Sequence, residues 1–222
     1  MNHFPVARRP AGVGTLLGPE IFGDRPVATR ASGALRTLPA PQREGGRPLM
    51  QALAARRSTR EFQPRPLSDQ HLSDLLWAAD GINRPSGDRT SPYWRHVMVL
   101  DIYAALADGL WLYEPTLHAL RRQSPEDLRA LTGVQDYVAG APLNLVYVVR
   151  GERLHGLSDE QRRLHGSVDA AFAGQNVYLY CASEGLGCVF RGSLDPERLG
   201  QAMGLPPAHL VVFAQSVGHR WG

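Results

Sequence analysis

The chain has 222 residues, enough for one domain or one domain with an appendage, and it can bury a core without disulfides or metals. The formal net charge is a mild +3, and all 24 Lys+Arg positions are arginine. Without lysine there is no Schiff-base chemistry of the pyridoxal-phosphate or aldolase kind and no P-loop, so any phosphate is held by arginine forks and backbone N–H groups.

Residues 1–46 carry Pro5, Pro10, Pro19, Pro26, Pro39 and Pro41 among many glycines, without sustained periodicity, and are expected to be an irregular arm. Arg8-Arg9 before AGVGTLL has the outline of a twin-arginine export signal, but the apolar part is short for one. The main domain is expected over 47–222. Pro48–Arg57 is expected to be a helix with Leu49, Leu53 and Ala54 inward and Pro48 in its first turn. Arg56, Arg57, Ser58 and Arg60 follow. Three guanidinium groups and a hydroxyl so close suit a phosphate monoester, but charge alone favours a basic turn that complements the helix dipole.

Ser68 caps a helix over Asp69–Ala79 with an apolar stripe of Leu72, Leu75, Leu76 and Ala79. Gly81–Pro92 is a polar loop. His96–Tyr103 and Leu110–Tyr113 are expected strands, with His118–Arg121 as a hairpin partner. Pro125–Thr132 and Gln135–Ala139 are expected as short helical pieces. Leu143–Val149 is a continuous apolar strand suited to the middle of a sheet. From Gly166 a long helix is expected, with Val168, Ala171, Phe172, Gln175, Leu179 and Ala182 on one face, widened by Val177, Tyr178 and Cys181, and buried inside the domain. Gly185 stands where a left-handed residue would close it. Leu186–Phe190 is then a buried strand ending at Arg191-Gly192. Cys181 and Cys188, in apolar surroundings, are expected to be buried free thiols. Asp195 caps a short helix over Pro196–Met203, and Leu210–Val217 is the last strand. Helices and strands mix without strict alternation, which fits an α+β sandwich.

Familiar chemical signatures are missing. There is no HExxH, no CxxC pair and no GxSxG, so neither a metal centre nor a serine triad is expected. No apolar run reaches the ~18 residues of a membrane span. Aromatic residues do not interleave with basic ones, as they would on a nucleic-acid surface. What remains is the arginine cluster, the polar loop and Arg191-Gly192. These fit a bound phosphorylated cofactor, and a plain globular domain fits nearly as well.

Several segments resemble the nitroreductase family of flavoproteins. RRSTREF (Arg56–Phe62) resembles its N-terminal motif. LLWAADGINRPSGDRTSP (Leu75–Pro92), DGLWLYEPTLHAL (Asp108–Leu120) and NVYLYCASEGLGCVFRGSLD (Asn176–Asp195) are similar to SagB-like azoline dehydrogenases and stand-alone members. AQSVGH (Ala214–His219) resembles the family's closing motif. The resemblance implies a three-layer α-β-α sandwich with a mixed central sheet, bound FMN and a homodimer with composite sites. By position it implies that Arg56, Arg57, Ser58 and Arg60 hold the FMN phosphate and ribityl end, with Arg220 a further candidate there. Arg191 and Gly192 are implied near the flavin ring. The implied activity is ping-pong electron transfer from NAD(P)H to nitro, quinone or similar small acceptors, with no obligatory side-chain acid or base and with a cytoplasmic location. An exported form would follow if residues 1–46 held a degenerate signal.

Two departures stand out. Tyr93, Trp94, Arg95 and His96 occupy positions where relatives carry small polar residues, so large rings are expected either to narrow or fill the flavin pocket or to stack on the flavin or substrate. The chain also ends at His219-Arg220-Trp221-Gly222, shorter than the family's basic tail. The alternatives are an azoline-dehydrogenase-like enzyme of peptide maturation and a non-enzymatic scaffold with a plugged flavin site.

Overall fold

The computed structural model describes residues 33–221. The twin-arginine reading, and the expected arm as far as residue 32, lie outside the described residues. From residue 33 the chain forms a short edge strand, β1 (Leu35–Thr37), and then runs beside helix α2 (Asp69–Asp80). There Ser73 Oγ donates to Pro39 O, Gln70 Nε2 to Ala40 O, and Gln42 N to Asp74 Oδ1.

Six further strands follow: β2 (Leu100–Leu106), β3 (Gly109–Glu114), β4 (Ala119–Ser124), β5 (Leu143–Arg150), β6 (Leu186–Arg191) and β7 (His209–His219). They form one sheet in the order β1-β4-β3-β2-β5-β7-β6. The α+β architecture matches expectation, but the sheet is not mixed. Every pairing between these strands is antiparallel. A parallel step occurs only as an isolated bridge from Ser58 to Cys188 among the described residues. β5 lies between β2 and β7 and is buried over residues 143–149, as its unbroken apolar run requires.

Side chains alternate across the sheet and build two cores. Ile102, Ala104, Leu145 and Tyr147 join Leu72, Leu75 and Leu76 of α2 and Ala170, Ala173 and Val177 of α3 (Asp159–Glu184). Tyr103, Ala105, Val146 and Val148 face the other way, onto Leu199 of α4 (Pro196–Ala202) and Met203. Helices therefore cover both faces, thinly on the second.

Local chemistry sets the helix boundaries. Ser68 accepts from His71 N at the start of α2, and Asp195 accepts from Arg198 N at the start of α4. α3 begins earlier than expected, because Ser158 and Gln161 form a capping box ahead of it. Gly185 closes α3 at φ 73, a left-handed conformation that costs glycine little. The expected helical pieces at 125–139 reduce to one short turn, Arg129–Leu131.

Two expected helix faces are turned, that of α1 wholly and that of α3 in part, since Val177 and Cys181 are buried as expected. In α1 (Leu49–Ala55) Ala52 is buried, while Leu49, Leu53 and Ala54 point outward. In α3 the buried residues are Gly166, Asp169, Ala170, Ala173, Gly174, Val177 and Cys181. Val168, Ala171, Phe172 and Gln175 are exposed instead. The small residues face the sheet because they let the helix approach closely: a Cβ on Gly174 would strike the Phe190 ring, and one on Gly166 would strike Val149. The result is an outward apolar stripe of Leu164, Val168 and Phe172, with Leu49, Met50 and Leu53 also exposed on α1.

Candidate functional site

α1 stops at Arg56, whose backbone turns extended, and the following residues run along the free edge of β6. Ser58 bridges Cys188, and Thr59 N donates to Cys188 O at 2.9 Å. Tyr178 on α3 pins this segment from inside. Its hydroxyl meets Ser58 Oγ at 2.8 Å and accepts from Phe190 N at 2.9 Å. The Arg56 guanidinium lies over the Tyr178 ring, 5.2 Å from its centroid. The basic cluster is thus bonded to a strand, a helix and an aromatic ring.

A hollow opens at each end of β6. The first, about 30 Å³, is lined by Arg47, Arg57, Thr59, Cys181, Cys188 and Arg220. Arg220 is steadied by a bond from its Nε to Gly185 O at 3.1 Å. Gly187 keeps this hollow open, since a Cβ there would stand 2.8 Å from Arg220 Cγ and 2.9 Å from Thr59 Cγ2. The second hollow is larger, about 960 Å³, and is lined by Arg60, Phe62, Tyr137, Phe190, Arg191, Gly192 and Trp221 among others. Glu61 and Asp136 also reach its wall.

The structure therefore divides the expected site residues. It brings Arg57 to Arg220, and Arg60 to Arg191 and Gly192. Ser58 and Arg56 engage Tyr178 and line neither hollow. Sequence reading missed Arg47 and Tyr178. No local pattern marks them, because Arg47 reaches the hollow from before α1 and Tyr178 looks like any other core-facing helix residue.

Arg191 is an unusual element. It is only 6% exposed, and its guanidinium donates to Thr132 O, Thr132 Oγ1, Asn144 Oδ1 and Ser216 Oγ. All four acceptors are neutral. Its Nε is buried without a hydrogen-bond partner among the described residues. Burial pulls the group down from its ordinary range to about 10. Gly133 makes the room, since a Cβ there would collide with the guanidinium. A buried cation among neutral dipoles is costly, and a negative or electron-rich ligand in the adjoining hollow would offset that cost.

Tyr93–His96 line neither hollow of the chain, so the expected narrowing by these rings is not seen within one chain. Tyr93 donates its hydroxyl to Asp88, and Trp94 stacks on His165 of α3 with centroids 4.2 Å apart. Trp94 N donates to Asp169, whose carboxyl burial raises to about 6. Nearby Asp80, pushed up to about 7 by burial, accepts from Ser91 Oγ at 2.7 Å. Among the described residues no group of His, Cys, Asp and Glu is arranged to hold a metal ion.

The model of the Nitroreductase family matches residues 53–219, which takes in most residues of both hollows, though not Arg47, Arg220 or Trp221, and nearly all of the sheet. The chain belongs to the nitroreductase family. A protein of Methanocaldococcus jannaschii that carries a nitroreductase name is 31% identical over 175 residues, covering 74% of this chain and 88% of the relative. A nitroreductase-named crystal structure from Ralstonia eutropha has 41% identity and a TM-score of 0.81, covering 88% of this chain and 93% of that one. The NADPH-flavin oxidoreductase of Vibrio harveyi is 22% identical over 178 residues. That match spans 77% of this chain and 65% of the relative's length. The family and its oxidoreductase-named members make this nitroreductase-family chain an oxidoreductase. Among the described residues no helix is long and apolar enough to cross a membrane.

Proposed function

We propose that the chain is an FMN-dependent oxidoreductase moving two electrons from NAD(P)H to nitro, quinone or similar small acceptors. The carrying observation is the pairing of two hollows across β6, one rich in arginine and one walled by aromatic rings above a buried guanidinium. The donor set fits the cofactor. Arg47, Arg57 and Arg220 supply forked donors for a phosphate, and none of them forms an ion pair with a described carboxylate. Arg60, in the second hollow, would reach the ribityl end, and Arg56 and Ser58, held on Tyr178, would anchor the segment between the two hollows. Phe62, Tyr137, Phe190 and Trp221 offer apolar walls to a planar ring system.

When bound, the flavin supplies the two-electron chemistry. The chain's own residues bind and orient it. The arginine hollow would hold one end of it, and Gly192 would line the hollow that takes the ring. Arg191 would supply a positive charge to that hollow, which favours the electron-rich reduced ring. No side chain is needed as a general acid or base for this transfer.

The homodimer belongs to the same proposal. Leu164, Val168 and Phe172 on α3, together with Leu49, Met50 and Leu53 on α1, form an apolar surface that a second copy would bury.

The test is the visible absorption spectrum of the purified protein before and after FMN addition and desalting. It is run beside an Arg57→Ala, Arg60→Ala variant. Retained flavin bands are expected in the wild type and weaker retention in the variant, each lost charge-assisted contact being worth about 1.5–3 kcal/mol. A colourless wild type would sink the cofactor reading. Equal FMN affinity in the variant would sink the role given to these arginines.

A further inference from the structure

We infer that Cys181 and Cys188 form an oxidant-sensitive dithiol whose closure to a disulfide releases the arginine segment 56–60 from β6. The two cysteines lie on opposite sides of the Gly185 turn, one at the end of α3 and one in β6, and both line the first hollow. Both thiols are free and buried, in the same core cluster. Burial first, and the neighbouring Cys188 thiol after it, push the Cys181 thiol up. The hollow, about 30 Å³, has room beside the two thiols for a small oxidant such as a peroxide.

The chemistry balances with a peroxide as oxidant. One cysteine sulfur attacks the O–O bond, takes one oxygen as a sulfenic acid and releases the other as water. The second sulfur then displaces the sulfenic oxygen, also as water, and the S–S bond forms. Two electrons leave the sulfurs, the peroxide is reduced, and both thiol protons end in water. Burial pushes the Cys181 thiol well above its ordinary range, and the Arg220 guanidinium in the same hollow pulls against that rise. Oxidation is therefore slow at neutral pH and quickens as pH rises.

The consequence follows from what Cys188 also does. Its carbonyl receives Thr59 N–H, and its backbone bridges Ser58. Tyr178, one turn before Cys181 on α3, holds Ser58 Oγ and Phe190 N. Disulfide geometry is specific, so drawing the two sulfurs to bonding distance moves β6 against α3. That displaces the bonds that hold residues 56–60 in place. The site is assigned from these contacts alone and does not depend on the cofactor reading.

The experiment treats the full reduced chain with hydrogen peroxide, quenches by alkylation and maps peptides. Met50, on the surface that a second copy would cover, reports by its sulfoxide that the oxidant has acted even there. The expected result is loss of both free thiols, a linked peptide joining Cys181 to Cys188, and reversal by dithiothreitol. Limited trypsin digestion should cut after Arg57 and Arg60 severalfold faster in the oxidised chain. Cys181→Ser, given the same peroxide, should show no linked peptide and no such acceleration. Two free thiols persisting after Met50 has become sulfoxide would overturn the inference. A disulfide that leaves the tryptic rate at Arg57 and Arg60 unchanged would overturn it as well.

Discussion

Replacing Arg191 by methionine separates two roles open to a buried guanidinium: a clasp for the fold, or a charge kept ready for a ligand. Its fall from the ordinary 12.5 to about 10 corresponds to a penalty of about 3 kcal/mol on keeping the charge in the folded chain. Methionine removes that penalty and keeps much of the apolar stem. It gives up the bonds to Thr132 O, Thr132 Oγ1, Asn144 Oδ1 and Ser216 Oγ. Three of these acceptors keep other partners, because Ser216 Oγ still donates to Asn144 Oδ1 and Thr132 Oγ1 still donates to Arg129 O. The Thr132 carbonyl is the acceptor left stranded, at about 1–3 kcal/mol. The two effects nearly cancel, so the apo-protein should change in stability by less than about 2 kcal/mol. Urea unfolding of both apo-proteins measures this. With the proposed flavin bound, spectroelectrochemistry should show a lower reduction potential for Arg191→Met, because a positive charge lining the proposed flavin hollow is gone. A loss of more than about 4 kcal/mol in the apo-protein would refute the reasoning, since that is the scale of breaking a structural buried-charge network.

Other expectations follow from the outward stripe and from the buried acids. Phe172→Glu places a charge on the α3 stripe and should convert a dimer to a monomer by light scattering; a monomeric wild type would remove the proposed interface. Asp80 and Asp169, raised by burial to about 7 and about 6, keep protons in the folded chain that the unfolded chain releases. The folded state then binds more protons, so stability falls as pH rises from about 4 to about 7, and Asp80→Asn should flatten that fall. Urea midpoints across this range decide it, and a wild-type midpoint that climbs with pH would contradict the assignment.

Much of the fold could be read in the sequence wherever one face differs sharply from the other. The α2 stripe of Leu72, Leu75, Leu76 and Ala79 sits against polar neighbours, so its inward side was unambiguous. β5 is apolar from Leu145 to Val149 and could only be central. α3 misled because both of its faces are apolar in composition. Val168 and Phe172 have the greater hydrophobicity, whereas Ala170, Ala173 and Gly174 have the shape that close helix–sheet packing requires. Periodicity reports hydrophobicity and is blind to that shape. α1 failed for the same reason, with Ala52 chosen over Leu49 and Leu53. At the site, the arginines near 56–60 were visible as a cluster. Their division between two hollows was not, because it depends on which end of β6 each one meets. The burial of Arg191 among Thr132, Asn144 and Ser216 joins residues 25 to 59 positions apart, and no local motif encodes that.

The bridge from Ser58 to Cys188 has a further consequence. β6 is the last strand of its sheet, and its outer edge presents backbone groups that a stray strand from another molecule could pair with. Residues 58 and 59 occupy part of that edge, so the segment proposed to grip a cofactor also shields the sheet from self-association. Variants that loosen the segment should then aggregate as well as lose ligand, and solubility becomes a second reading of the site's integrity.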